Sequence, residues 1–103
     1  MIFLVRIDVH LPPAMDPDDR SDLMRRELEV ALRYQREGRL RNLWRIVGNP
    51  SNFGLYEVDD NEELHQMISS FPLFPFMTTS VTPLASHPSV LQEHPDDSSN
   101  ESP

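Results

Sequence analysis

Pro17-Asp-Asp-Arg-Ser-Asp-Leu-Met-Arg-Arg-Glu27-Leu-Glu-Val-Ala-Leu-Arg-Tyr-Gln-Arg-Glu37 reads as one long amphipathic helix. At about 100° per residue, Leu23, Met24, Leu28, Val30, Ala31 and Tyr34 share one arc, while Asp22, Arg25, Arg26, Glu29, Arg33, Arg36 and Glu37 fill the opposite one. Asp16 stands before Pro17 as an N-cap followed by proline at the first helical position, with Asp18 and Asp19 at the positive end of the helix dipole. Gly38 is the natural stop. One acid breaks the pattern: Glu27 projects between Tyr34 and Ala31, inside the apolar arc. A carboxylate there either has a partner on whatever the helix packs against or borders a cavity. In a cavity, desolvation would raise its pKa from about 4.3 toward neutrality, where it can both take and return a proton.

The flanking segments decide the fold around this helix. Ile2 to Val9 reads as a strand with Phe3, Val5, Ile7 and Val9 on one face, and Leu11-Pro12-Pro13 ends it. Asn42 to Val47 reads as a second strand, with Leu43, Arg45 and Val47 on one face and Trp44 and Ile46 on the other. Gly48-Asn49-Pro50-Ser51 has turn chemistry, and Asn52 to Val58 is a third strand, so the two form a hairpin. Asp59-Asp60-Asn61 opens a second helix with the stripe Leu64, Met67, Ile68 and Phe71, ended by Pro72. Phe71 to Met77 is the densest apolar stretch, but its two prolines bar it from a central strand. Thr78 to Thr82 suits a short fourth strand. The order βαββαβ predicts an α+β, ferredoxin-like domain: a four-stranded antiparallel sheet with two helices on one face, of the dimeric α/β-barrel type. Its bounds are residues 1–91, followed by an acidic tail over 92–103 with too little apolar surface to order itself. The sheet face without helices carries Trp44 and Ile46, which predicts oligomerisation through that face and the Phe-Pro segment.

Composition narrows the chemistry. The 103 residues carry 17 acids, 9 bases and no cysteine. Disulfides and thiolate metal sites are excluded, and a reducing, cytoplasmic setting fits. The formal charge of −8 argues against a nucleic-acid partner. Met1 to Val9 is too short and too charged for a signal peptide or membrane span. All nine bases are Arg, so no lysine Schiff base can form. Three glycines cannot build a phosphate loop, and His10, His65, His87 and His94 lack metal-ligand spacing. Arg25-Arg26 reads as a solvated helix face. Asn52, opening the third strand, either holds a small ligand's oxygen or completes the turn. Arg20, two turns before Glu27 on nearly the same face, either attracts a carboxylate or pairs with Asp16 or Asp19.

Over essentially Met1 to Val90 the chain resembles the muconolactone Δ-isomerase family. The segments that carry the resemblance are Phe3-Leu-Val-Arg-Ile7, Leu11-Pro12, Met15-Asp16-Pro17, Leu43-Trp-Arg-Ile46, Glu63-Leu-His65, Pro72-Leu-Phe-Pro75 and His87-Pro-Ser89. The resemblance implies a cytoplasmic enzyme of aromatic-compound catabolism, without metal or organic cofactor, assembled as a homo-oligomer, typically a decamer. It implies a small lactone as substrate, Glu27 as the proton shuttle and Asn52 as a pocket residue. Three positions depart from the family's usual pattern: Leu28 for Lys, Pro50 for Tyr and Asn42 for His. These leave a dehalogenase of chlorinated muconolactones, an enzyme for another small lactone, and a non-catalytic small-acid-binding oligomer as alternatives.

Overall fold

The computed structural model describes residues 1–91. The acidic tail expected over 92–103 lies outside the described residues. The elements are β1 (Ile2–Val9), α1 (Pro17–Arg36), β2 (Leu40–Arg45), β3 (Ser51–Glu57), α2 (Asn61–Ser70), a 3-10 turn (Phe74–Phe76) and β4 (Met77–Leu84). The strands run antiparallel in the order β2-β3-β1-β4. This is the ferredoxin-like arrangement expected from the sequence. Both helices cover one face: Ala31 and Tyr34 from α1 and Leu64, Met67 and Ile68 from α2 share a core with Phe3, Val5, Ile7, Leu40 and Tyr56 of the sheet.

Local chemistry fixes the long helix at both ends. The Asp16 carboxylate accepts from the N–H groups of Asp18 and Asp19 at 3.1 and 3.3 Å, filling donors that the first turn leaves orphaned. At the other end, Gly38 takes φ 77°. The N–H of Gly38 reaches the Gln35 carbonyl and the N–H of Arg39 reaches that of Tyr34, each at 3.0 Å. That is a Schellman closure, and it needs a residue at ease with positive φ.

The second strand departs from the expectation. It spans Leu40–Arg45 rather than Asn42 to Val47. Val47 leaves the ladder and Ile46 keeps only its N–H bond to the Ser51 carbonyl at 2.9 Å, because Asn49 N–H closes a turn on the Ile46 carbonyl, with Gly48 at φ 80°. The register also slips between Leu40 and Asn42. This bulge at Arg41 lets Leu40 and Leu43 both face the helices, turns Trp44 to the open face and aims Arg45 back under α1. The fourth strand is longer than expected, Met77–Leu84, and pairs with the whole of β1.

The uncovered face of the sheet carries Leu4 opposite Leu55 and Trp44 opposite Phe53. Trp44 is 49% exposed. Beside it, Arg6 pairs with Asp8 at 3.1 Å and lies 5.9 Å from the Phe53 ring centre. Ser51 hydrogen-bonds Asp8 from the neighbouring strand. Among the described residues, no helix is long and apolar enough to cross a membrane, and no cluster of three or more His, Cys, Asp or Glu side chains could hold a metal ion.

Candidate active site

A cavity of about 550 Å³ opens between α1, the β2–β3 hairpin and the Phe-Pro segment. Its floor consists of buried residues: Ile7, Ala31, Leu40, Tyr56, Phe71 and Leu73. Its mouth is ringed by exposed ones: Arg20, Met24, Leu28, Leu43, Arg45 and Pro50. Between floor and mouth stand Glu27 and Asn52. All three residues singled out from sequence, Glu27, Asn52 and Arg20, therefore line one cavity.

Glu27 borders the cavity rather than an ionic partner, which settles the alternatives posed by its position in the helix. It forms no ion pair among the described residues; its carboxylate accepts a 3.0 Å hydrogen bond from the backbone N–H of Leu73. The sequence explains why that donor is free. Pro72 forces Phe71 out of the helix into extended backbone, φ −67° and ψ 132°. Leu73 N–H consequently has no helical acceptor and turns toward α1. Burial pushes the Glu27 carboxyl above its ordinary value, and the Leu73 N–H partly opposes the shift by stabilising the ionised form. A half-buried acid with one backbone donor and, among the described residues, no cation can exchange a proton closer to neutral pH than an exposed one.

Asn52 sits on β3 with its side chain toward the helices. Its amide oxygen is buried without a hydrogen-bond partner among the described residues. With no partner to fix the amide, it can turn either its oxygen or its N–H2 group toward a ligand in the cavity it lines. The opposite residue across the ladder is Arg45, so the amide and a guanidinium share one rim of the cavity. Neither Arg45 nor Arg20 forms a salt bridge among the described residues, whereas Arg25 and Arg26 engage Asp22 and Glu29 on the solvent face of α1. Arg20 thus does not pair with Asp16 or Asp19, and two unneutralised cations stand at the mouth of a cavity whose wall holds one carboxylate. Arg45, Tyr56 and the Leu73 N–H were not apparent from the sequence. Only the strand spacing that put Arg45 beside Leu43 carried a hint.

His65 is exposed on α2 and faces a separate groove against β4, away from Glu27. The Leu28 and Pro50 departures both fall at the cavity mouth, where Leu28 is 58% exposed. They place apolar side chains without donors at two points of a rim that Arg20 and Arg45 otherwise make cationic.

Fold and site define a class: a ferredoxin-like α+β protein whose apolar pocket holds a desolvated carboxylate in its wall and guanidiniums at its mouth. The chain belongs to the muconolactone delta-isomerase family, whose model matches residues 1–90. A muconolactone Delta-isomerase of Cupriavidus pinatubonensis is 42% identical over 92 residues, covering 89% of this chain and 100% of that one. Another, of Acinetobacter baylyi, is 41% identical over 93 residues, covering 90% and 97% respectively. The crystal structure of a muconolactone isomerase superposes with a TM-score of 0.86 at 41% identity, over 91% of this chain and 98% of that one.

Proposed function

We propose that this protein isomerises muconolactone to 3-oxoadipate enol-lactone by a carboxylate proton shuttle, with Glu27 as the base and acid. Muconolactone is an unsaturated five-membered lactone with a carboxymethyl arm on the ring carbon next to the ring oxygen. Ionised Glu27 takes the proton from that carbon. The C–H electron pair moves into the ring as a dienolate, and the negative charge gathers on the lactone carbonyl oxygen. The same carboxyl, now protonated, returns the proton two carbons along, beside the carbonyl. The double bond has moved, no electrons have been gained or lost, and Glu27 is ionised again.

The single observation that carries this reading is Glu27 itself: half-buried, unpaired by any cation among the described residues, and held by Leu73 N–H against a cavity of small-molecule size. Its raised pKa brings it nearer the working pH, where proton transfer in both directions is fast. Asn52 donates its amide N–H to the carbonyl oxygen as charge develops there. Arg20 and Arg45 hold the carboxymethyl arm at the mouth, a role that suits the planar guanidinium fork. The reaction takes place in the cytoplasm, which a chain without cysteine suits, and in a homo-oligomer, a decamer in the reading from resemblance. The test is the ultraviolet change on mixing purified protein with muconolactone, with chloride release from a chlorinated muconolactone measured alongside. Turnover of muconolactone is the expected result. Chloride release without isomerisation would reassign the same base to dehalogenation.

A further inference from the structure

Tyr56 has no part in the shuttle as described, yet its hydroxyl group has no structural employment. Its side chain is 1% exposed and forms part of the cavity floor. No hydrogen bond joins its hydroxyl to another described residue, yet it is not among the fully enclosed unpartnered polar atoms, so the hydroxyl itself meets the cavity. Phenylalanine would pack this floor equally well. By contrast, the other core tyrosine, Tyr34, has its hydroxyl 2.5 Å from the Ser70 hydroxyl.

The ring has also been given room. Asn52, Gly54 and Tyr56 alternate along β3 and so share the helix-facing side. A Cβ on Gly54 would lie 2.8 Å from Tyr56 Cε1 and 3.2 Å from Leu40 Cδ1. The ring leans over the space that a side chain at 54 would occupy, along the strand toward Asn52. Burial holds the phenol protonated, and the nearby charge of Glu27 adds to that effect. At any working pH the hydroxyl is a donor. Pro50, at the rim of the same cavity, has no N–H to offer.

We propose that Tyr56 is a catalytic residue whose hydroxyl donates to the lactone carbonyl oxygen, so that Asn52 and Tyr56 together receive the charge that Glu27 creates by removing the proton. The proposal rests on the lactone reading of the cavity. It makes Tyr56 a donor to the substrate and not to Glu27. Charge on the carbonyl oxygen is greater in the dienolate than in the bound lactone, so the hydroxyl acts on kcat more than on KM.

The experiment is steady-state turnover of muconolactone by wild type and Tyr56→Phe across pH, with thermal melting and sedimentation as controls. The expected result is a folded, assembled variant whose kcat falls ~10²-fold, the size of losing one oxyanion donor. Its KM should change by less than about threefold, and the acid limb of kcat/KM should stay at the wild-type midpoint. Replacing Tyr56 by 3-fluorotyrosine restores a hydroxyl and should restore most of the rate. Wild-type turnover with an undiminished Tyr56→Phe rate overturns this proposal alone. A Tyr56→Phe acid limb moved to higher pH also overturns it, since the lost bond would then have been to the Glu27 carboxylate. Wild type that leaves muconolactone unchanged overturns the isomerase reading, and this role with it.

Discussion

At the scale of single residues, the site was half legible. Glu27 stood out in the sequence because an acid in an apolar helical arc violates amphipathic patterning, and Asn52 because it opened a strand after a turn. Arg45 and Tyr56 broke no local rule: one alternates as a strand residue should, and an aromatic in β3 reads as core. Their places on the cavity come from the bulge at Arg41 and the missing side chain at Gly54, which act across strands. Arg45 faces Asn52 without a salt bridge, so Arg45→Gln should raise KM for a carboxylated lactone about tenfold with kcat little changed, as expected for a charge contact made equally before and during reaction. Saturation kinetics will check it. Glu27 also has a pH signature in stability. Its folded pKa is raised by burial above the ordinary 4.5. The stability it contributes is therefore fully present below that value and is lost as pH rises through the folded pKa. Glu27→Gln, whose amide oxygen can still accept from Leu73 N–H, should gain melting temperature over wild type at pH 8 relative to pH 4. Parallel melts at the two pH values measure this.

At the scale of elements, the chain announces its helices better than its hairpin. Asp16-Pro17 and Gly38 marked the ends of α1 to within a residue, because caps and positive-φ positions are local chemistry. The second strand was displaced by two residues because Ile46 and Val47, strand formers by composition, are drawn into the turn by the Asn49–Ile46 hydrogen bond. The two prolines of the Phe-Pro segment bar it from a central strand, and it forms a 3-10 turn over Phe74–Phe76 before Met77 opens β4. Its actual service, presenting Leu73 N–H to Glu27, depends on the meeting of two elements 46 positions apart, which no local pattern reveals. Helix α1 carries both Arg20 and Glu27, but its cap matters to the fold more than to the shuttle. Asp16→Ala should cost about 1 kcal/mol in urea unfolding. Its effect on turnover should be small, because Glu27 lies in the helix interior, held by Leu73.

At the scale of the whole molecule, the βαββαβ order sufficed for the topology, since a right-handed split βαβ arrangement is the compact solution for that sequence of elements. The sheet is covered on one face only, and Leu4, Leu55, Trp44 and Phe53 lie on the other. A sedimentation mass well above the 11.9 kDa of one chain is the expected outcome. Trp44→Arg, which places a charge on that face without touching the cavity, should shift the mass downward. A monomeric wild type would locate the reaction in the single chain. The most direct test of the proton shuttle is the pH dependence of kcat/KM for muconolactone in wild type and in Glu27→Gln. The shuttle predicts a wild-type acid limb from one ionisation with its midpoint above 4.5, because the ionised carboxylate is the base and burial raises its pKa. It also predicts a loss of about 10³-fold or more in a Glu27→Gln protein that remains folded. Undiminished turnover in Glu27→Gln, or a wild-type rate with no acid limb above that value, would contradict it.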